Sequence, residues 1–433
     1  MNKPTCIIYA PVDTYSGYGA RSRDLVKALI NLKDKEWEIK VFPCAWGNTP
    51  TGFIDDNPEW QFLNPYVFNN MNLQVQPEIM IWITIPSEAQ PVGKFNICFN
   101  AGIETTLAPN DWIEGLNRMN LNIVSSEHSK KIYLDTQYEK IHQQTKQSGG
   151  IIKVEKPIEV LFEGVDVNVY KTLEKPNEKI FNLNTIPEDF CFLFLSHWIG
   201  PVFEDRKNVG FLIKAFFEIF KNKKKKPALI LKTSLGSSSY MDRDEILKRI
   251  QAIRKSVNSK DLPNIYLLHG EFTDTEINEL YNHPKVKAMV NLTKGEGFGR
   301  TLLEFTQTKK PIITTNWSGH LDFLKPEFTT LINGKTTPVN QAAVNKWIVK
   351  ESQWFTPDSD GVGYFMKDMF ENYDNYVDGA KRQAYFCKTN FSFEKMQEKL
   401  GEYLKQVPEF PKQITLKLPN LPKKINLPKL QKI

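Results

Sequence analysis

The sequence has few cysteines, and they lie far apart. The 433 residues contain five, an odd number: Cys6, Cys44, Cys98, Cys191 and Cys387. No two of them form a Cys-x-x-Cys pair, so a zinc or redox site has little support. Cys6, Cys98 and Cys191 lie inside apolar runs, where a free thiol behaves as a small hydrophobic group. This usage favours a reduced, cytoplasmic compartment.

Long apolar segments are also missing. The longest apolar run, residues 79–86, has the length of a strand, whereas a membrane-spanning helix needs about 20 residues. Residues 1–4 lead directly into an apolar strand, without the cationic segment, apolar stretch and cleavage site of an export signal. We therefore expect a cytoplasmic protein, with peripheral membrane association as the alternative.

The remaining composition is that of a large globular protein. Hydrophobic residues make up 41% of the chain, aromatic residues 12% and charged residues 24%. These fractions exclude a mostly disordered or fibrous chain. At roughly 100–200 residues per domain, the length predicts two or three domains.

The net positive charge is concentrated in one segment. Of the formal charge of +6, residues 408–433 contribute +5, from six lysines and one glutamate, so the rest of the chain is nearly neutral. The same segment has five prolines, which is typical of an extended arm. A solvated tail and a tether to an anionic membrane or nucleic acid both fit this composition.

Short apolar runs alternate with helical patterns along most of the chain. Strands are predicted at residues 5–12, 38–43, 79–85, 95–99, 122–125, 160–162, 190–195, 228–232, 265–268, 286–292 and 311–315. Helical patterns include residues 129–138, 208–220, 242–257, 274–281 and 300–308. This alternation predicts two doubly wound α/β domains with parallel sheets, whose functional groups gather at the carboxyl ends of the strands.

A first candidate site is the glycine turn after the first predicted strand. Gly17 and Gly19 precede a helical pattern, so a ligand can approach the backbone and the helix N-terminus offers amides to an anion. The third glycine of the dinucleotide-binding pattern is replaced by Ser22. An ordinary tight turn explains the same residues.

Three cationic side chains follow strands of the second half. Arg206 and Lys207 precede a helix, where a cationic pair is unfavourable for that helix's own dipole, and Lys232 ends the next strand. Together they would form a clamp for a diphosphate. Solvated surface side chains are the alternative.

The strongest local feature is the segment 294–304, with the sequence KGEGFGRTLLE. Its three alternate glycines follow a strand and open a helix, so backbone amides can approach a phosphate or a sugar. Glu296 and Glu304 are both close to one strand end, and carboxylates there suit the vicinal hydroxyls of a sugar or ribose. Glu304 is flanked by Leu303 and Phe305, which argues against a mere surface glutamate.

This segment resembles the donor site of retaining GT-B glycosyltransferases of family four. The Glu-x7-Glu block is the most specific part, and residues 311–315 with Gly319 beyond them continue the match. Other stretches that resemble the family, in order and spacing, are Glu104-Thr105 with Pro109 and Trp112, and residues 124–126, 160–166, 206–216 and 391–406. The resemblance covers about residues 5–406.

The resemblance implies a GT-B fold, in which two doubly wound Rossmann-like domains face a central cleft. We expect an acceptor-side domain at 1–165, a linker at 166–187, a domain binding the sugar nucleotide at 188–390, a closing helix at 391–407 that packs back on the first domain, and the basic tail at 408–433. The donor would be a UDP- or GDP-linked sugar.

The resemblance also implies roles for individual residues. The catalytic set would be Glu296, which binds hydroxyls of the transferred sugar, with Arg206 and Lys232, which neutralise the leaving diphosphate. No metal ion or cofactor is then required. Glu304 would bind the ribose. The full set of donor-binding residues is Gly17, Gly19, His197, Lys207, Gly297, Phe298, Gly299, Arg300, Thr301 and Glu304.

Two positions depart from the family pattern. The usual Gly-Arg after the strand that ends at Leu195 is Ser196-His197 here, so His197 or Arg206 would take the role of that arginine. The histidine common in the first domain is Asn100. The acceptor-side polar group is therefore Asn100, Glu104 or His128.

The resemblance thus implies a hexosyl- or pentosyltransferase that moves a sugar with retention to an acceptor hydroxyl, for example that of a glycan or lipid-linked glycan. One alternative is an enzyme that glycosylates a hydroxymethylated DNA base, although a nearly neutral body argues against a large phosphate-binding face. Another is a non-catalytic protein that binds sugar nucleotides. This last interpretation is disfavoured by the presence of Glu296, Glu304 and Lys232.

Overall fold

The computed structural model describes residues 3–70, 75–141, 147–177 and 183–411. Its strands are β1 Thr5–Ala10, β2 Glu38–Pro43, β3 Ile79–Ile83, β4 Phe95–Asn100, β5 Leu121–Val124, β6 Tyr138–Ile141, β7 Ser148–Ile152, β8 Ile158–Val160, β9 Cys191–Leu195, β10 Ala228–Lys232, β11 Ile265–Leu268, β12 Val286–Asn291, β13 Ile312–Thr315, β14 Thr330–Ile332, β15 Gly334–Pro338 and β16 Gln353–Pro357.

The helices lie between these strands and after the last of them. They are α1 Gly17–Lys33, α2 Phe53–Asp56, α3 Asn110–Asn117, α4 Glu127–Asp135, α5 Val209–Phe220, α6 Tyr240–Ser256, α7 Asp274–Asn282, α8 Arg300–Thr306, α9 Ser359–Glu371, α10 Asp374–Asn390 and α11 Phe393–Tyr403. One of the 3-10 turns, at Gly319–Asp322, lies next to the candidate site.

Two six-stranded parallel sheets form the centres of two domains. The first has the strand order β2-β1-β3-β4-β5-β8 and the second the order β11-β10-β9-β12-β13-β14. All pairs within both sheets are parallel. The predicted pair of doubly wound α/β domains is confirmed.

The strands are apolar because helices cover both faces of each sheet. All five residues of β3 are buried, as a central parallel strand requires. On α5, the residues at helical spacing form one buried stripe against the second sheet: Leu212, Ile213, Phe216, Phe217 and Phe220. Each sheet therefore packs against its own apolar core.

The strand order reverses between β1 and β3 in the first sheet, and between β9 and β12 in the second. Ligands of open α/β sheets bind in the crevice outside the carboxyl ends of the strands at such a switch point. In the second domain, the loop that carries Arg206 and Lys207 follows β9, and the glycine-rich loop follows β12. The fold thus brings both predicted motifs to the same crevice.

The segment at 166–187 that we predict to be a linker packs on the second domain in its described part. Tyr170 is 3% exposed, and its hydroxyl donates to Asp274 Oδ1 at 3.0 Å. The backbone amides of Lys171 and Leu173 donate to side chains of α7, those of Asn278 and Asn282. Residues 178–182 lie outside the described residues.

Helix α11 returns to the first domain. Its residues Phe393, Met396 and Leu400 belong to the first apolar core. A Cβ on Gly164 would lie 2.6 Å from the Cα of Phe393, so glycine there lets the end of the first domain touch this helix. The exact domain boundaries stay predictions.

Two antiparallel hairpins were not predicted from the sequence. Strands β6 and β7 pair in the first domain, so Tyr138, which we predicted to be helical, starts a strand after α4 has ended at Asp135. Strands β15 and β16 pair at the edge of the second domain. Strands β6, β7 and β15 are largely exposed, and the longest apolar run of β16 is the buried pair Trp354 and Phe355, so neither hairpin has the longer apolar runs that indicate the sheet strands.

Most of the predicted basic tail, residues 412–433, lies outside the described residues. Within the part of the chain that the structure describes, no helix is long and apolar enough to cross a bilayer.

Candidate functional site

Glu296 is the centre of the charge network in the second-domain crevice. Both of its carboxylate oxygens accept from Lys207 Nζ, at 2.6 and 2.7 Å. Arg206 Nη1 lies 3.5 Å from Glu296 Oε2 and donates to the carbonyl oxygen of Gly295 at 2.7 Å. Burial alone would raise the pKa of Glu296, but Lys207 and Arg206 hold it at about 2. The carboxylate is therefore ionised at neutral pH.

Lys232 and His197 lie in the same crevice, at the ends of β10 and β9. Burial lowers the pKa of Lys232. Burial and the neighbouring Lys232 lower the pKa of His197 to about 4, and Lys207 and Arg206 act in the same direction. His197 Nδ1 lies 2.8 Å from Ser234 Oγ. His197 is thus uncharged at neutral pH, and the positive charge of the crevice comes from the arginine and the two lysines.

Arg300 joins Glu304 to the first domain. Its Nε donates to Glu304 Oε1 at 2.7 Å, and its Nη1 donates to Asp24 Oδ2 on α1 at 2.5 Å. Glu163 Oε2 lies 3.9 Å from the same Nη1. Burial alone would lower the pKa of Arg300, but these three carboxylates raise it, so the guanidinium stays charged. Burial raises the pKa of Glu304 to about 8, although Arg300 opposes this shift.

The glycines of the loop after β12 serve the contact between the domains. A Cβ on Gly295 would lie 2.0 Å from the carbonyl oxygen of Glu104, and one on Gly297 would lie 2.2 Å from that of Ala101. Gly299 has φ +100° and is the N-cap of α8, so it needs the left-handed backbone that glycine favours. The sequence predicts that these glycines let a ligand approach the backbone. In the structure, the group next to Gly295 and Gly297 is the backbone of the first domain.

The neighbouring side chains of the loop divide between core and surface. Phe298 is 2% exposed and packs against Phe323, with ring centroids 4.9 Å apart, so only its backbone can face a ligand. Thr301 is half-buried in the first turn of α8. The amide of Gly319 donates to the carbonyl oxygen of Glu296 at 3.0 Å, which ties the 3-10 turn to the loop.

The glycine turn of the first domain has two different glycines. A Cβ on Gly19 would lie 2.3 Å from the carbonyl oxygen of Thr14, so Gly19 is required by packing. Gly17 has open space around it. Ser16 caps α1, because its hydroxyl accepts from the amide of Gly19 at 2.9 Å. Only Gly17 therefore leaves room for a ligand beside its backbone.

The three acceptor-side candidates differ in their surroundings. Asn100 is 1% exposed, and its amide is bonded within the first domain, to Tyr18 and Tyr133 among others. Glu104 Oε1 faces the crevice, 3.4 Å from Arg206 Nη2. His128, in the first turn of α4, packs edge-on against Trp317 of the second domain at 4.8 Å between ring centroids. Glu104 and His128 thus both lie at the domain interface.

Further contacts between the two domains could not be predicted from the sequence. Thr106 and Gln353 exchange two hydrogen bonds: the amide of Thr106 donates to the Gln353 carbonyl oxygen at 3.0 Å, and the Gln353 amide donates to Thr106 Oγ1 at 2.8 Å. The Glu127 amide donates to Asp322 Oδ2 at 2.9 Å. No sequence signal marks these pairs, since the partners lie far apart in the chain.

Comparisons with known proteins agree with this architecture. Residues 199–352 match the family described as glycosyl transferases group 1. HepE of Anabaena, solved with UDP-glucose, has a TM-score of 0.62 at 14% identity, over 93% of this chain and 99% of HepE. A sucrose-phosphate synthase from Thermosynechococcus elongatus has a TM-score of 0.59 at 12% identity, over 94% of this chain and 99% of that protein. The chain has the GT-B fold, and residues 199–352 of its second domain match the glycosyl transferases group 1 family.

The segment that matches the family contains the charge network of the second-domain crevice, from Arg206 to Glu304. A glycosyltransferase from Rickettsia africae also shares the fold, with a TM-score of 0.62 at 14% identity, over 94% of this chain and 99% of that protein. No curated protein matches the chain in sequence.

Proposed function

We propose that the chain moves a sugar from a UDP- or GDP-linked donor to an acceptor hydroxyl, with retention and without a metal ion. One observation carries the proposal. At the switch point of the second sheet, Arg206 and Lys207 surround the ionised Glu296, and Lys232 ends the adjacent strand β10. Fixed positive charge is what the departure of a diphosphate requires.

The donor lies along this crevice in the proposal. Its ribose binds Glu304, its diphosphate meets the cations, and hydroxyls of its sugar donate to Glu296. The low pKa of Glu296 supports this last role, because an ionised carboxylate accepts strong hydrogen bonds. The UDP-glucose complex of HepE supports a UDP-linked donor.

The reaction in the proposal needs few protein groups. The bond between the sugar C1 and the diphosphate oxygen breaks, and a bond from the acceptor oxygen to C1 forms on the same face. The acceptor's proton passes to an oxygen of the departing phosphate. Lys207 has three N–H donors, so it can hold Glu296 and still donate to that phosphate. Arg206 and Lys232 add positive charge there.

We infer that the acceptor enters between Glu104 and His128. Glu104 lies beside Arg206, and hence beside the proposed diphosphate position. Burial lowers the pKa of His128 to about 4, so its neutral ring can accept a hydrogen bond from an acceptor hydroxyl. Asn100 is less suited, because its amide is already bonded inside the first domain.

An acceptor screen tests the function. Wild-type protein is incubated with a panel of UDP- and GDP-sugars and with glycans, lipid-linked glycans or hydroxymethylated DNA, and products are identified by mass and by the coupling of the anomeric proton. We expect transfer with retained configuration from at least one donor, and loss of transfer in Glu296→Gln. The surface variant Glu218→Gln serves as control. If the wild-type protein shows no hydrolysis and no transfer with any donor, the proposal is overturned.

A further inference from the structure

The network around Arg300 reaches from the proposed ribose site into the first domain. Arg21 and Asp24 lie three residues apart on one face of α1 and are 1% and 6% exposed. Arg21 Nη1 lies 3.8 Å from Glu163 Oε1, and Asp24 binds Arg300. The chain of contacts therefore runs from α1 through Arg300 to Glu304.

The geometry of Arg300 suits a connecting role. Two different nitrogens make the two contacts: Nε binds Glu304 and Nη1 binds Asp24. Because the guanidinium is planar and rigid, fixing one of these nitrogens fixes the other. A lysine in its place has a single nitrogen and cannot hold both carboxylates in this arrangement.

Stability alone does not explain these buried charges. Desolvation of ions costs several kcal/mol each, and apolar side chains of similar volume often hold an interface equally well. The domains already meet through backbone contacts at Gly295 and Gly297 and through Thr106 and Gln353. A chain of buried contacts that ends on Glu304 therefore points to the ribose site.

We propose that Asp24 and Arg300 are positioning residues: Asp24 on the first domain holds Arg300, and Arg300 holds the Glu304 carboxylate in the orientation that binds the ribose. The inference rests on the proposed function, which assigns Glu304 to the ribose. It has one specific consequence. A residue of the acceptor-side domain controls recognition of the nucleotide, so the ribose site is complete only when the two domains are together.

Matched nucleotides test this inference. Affinities are measured calorimetrically for UDP and 2′-deoxy-UDP, or for GDP and its 2′-deoxy form if wild type binds guanosine nucleotides more tightly. Wild type should prefer the ribonucleotide by about tenfold, the worth of a hydrogen bond to a charged group. Glu304→Gln and Asp24→Asn should both lower this preference toward one, mainly by weakening the ribonucleotide.

A control separates positioning from loosened domains. Thr106→Val removes one bond between the domains without touching Arg300, and it should change both affinities by the same factor. Arg300→Lys, which keeps the charge but cannot hold both carboxylates, provides the second variant if Asp24→Asn does not fold; it should also lose the preference.

The outcomes separate the two proposals. If Glu304→Gln loses the preference but Asp24→Asn and Arg300→Lys keep it, the positioning role is wrong and the ribose assignment stands. If wild type shows no preference, or Glu304→Gln retains it, the ribose assignment fails and the positioning role fails with it.

Discussion

Gly297 and Ala101 belong to different domains, yet a Cβ on the glycine would lie 2.2 Å from the carbonyl oxygen of Ala101. Beside this contact, Ser125 Oγ donates to the carbonyl oxygen of Gly297 at 3.1 Å. The backbone of the loop that holds Glu296 is thus in direct contact with the backbone of the first domain. Its position depends on both domains.

Gly297→Ala should therefore impair transfer. The added methyl group has to displace the first domain from the loop, and overpacking of this kind typically costs about 1–3 kcal/mol. We expect turnover to fall about tenfold or more, with a smaller change in affinity for the free nucleotide. Steady-state kinetics and calorimetry measure the two effects.

Gly363→Ala is the matched control, because Gly363 lies in α9 with no atom within 4 Å of an added Cβ. Its turnover should equal that of wild type. Equal turnover of Gly297→Ala and wild type would show that the close contact between the loop and residue 101 is unimportant.

Much of the fold could be predicted because each sheet is built from buried apolar runs. The predicted bounds of 38–43, 228–232 and 265–268 agree with β2, β10 and β11. Strand β15 could not be recognised, because its residues are mostly polar and exposed and it depends on pairing with β16. Local periodicity contains no information about such pairing.

The candidate site was predictable only in part. The segment 294–304 revealed Glu296 and Glu304 because strand, glycines and helix are contiguous in sequence. The pairing of Arg300 with Asp24 spans 276 residues, and nothing in the local pattern of α1 distinguishes Asp24 from a solvated acid. The glycines indicate a close approach to the loop, but their sequence does not say which group approaches. In the structure it is the backbone of the other domain.

Nucleotide affinity should depend on the ionisation of Glu304. In the free protein its pKa is raised to about 8 by burial, opposed by Arg300 and supported by Asp274 and Asp24. Ribose hydroxyls donate to the ionised form, so binding lowers this pKa and releases a proton. Affinity should therefore rise with pH up to about 8, by at most about tenfold per unit, and level off above it.

Calorimetry between pH 7 and 9 measures this dependence, since the terminal phosphate, with a pKa of about 6, is already ionised there. The Glu304→Gln variant should lack the rise in affinity between pH 7 and 8. A flat profile for the wild-type protein, or the same rise with pH in the variant, would contradict a role for this carboxylate in nucleotide binding.

His197 should matter less than Lys232. With its pKa lowered to about 4, the imidazole is neutral at pH 7 and adds no positive charge. We expect His197→Gln to change donor affinity less than about threefold, and Lys232→Met to weaken it about 10- to 100-fold through loss of a charged hydrogen bond. A larger effect of His197→Gln than of Lys232→Met would show that the histidine carries the charge.

The pair of Lys207 and Glu296 should also stabilise the second domain. Their side chains are 17% and 7% exposed, and removal of one partner leaves a buried charge. Lys207→Met should lower the free energy of unfolding by roughly 3 kcal/mol at pH 7, less the compensation from Arg206. Because the pKa of Glu296 is depressed to about 2, the difference from wild type should shrink as pH falls from about 4.5 toward 2.

Lys221→Met is the control, since Lys221 pairs with Glu218 at the surface, where such pairs contribute less than about 1 kcal/mol. Denaturant unfolding of the two variants gives the comparison. Equal stabilities would mean that the contact between Lys207 and Glu296 contributes no more than a surface pair.

The affinity of nucleotide sugars for the wild-type protein and Glu296→Gln tests the central claim most directly. The account predicts that wild type binds at least one UDP- or GDP-sugar, and that Glu296→Gln weakens this binding about tenfold while affinity for the corresponding free nucleoside diphosphate changes much less. Failure of the wild-type protein to bind any nucleotide sugar, or equal binding by both proteins, would contradict the account.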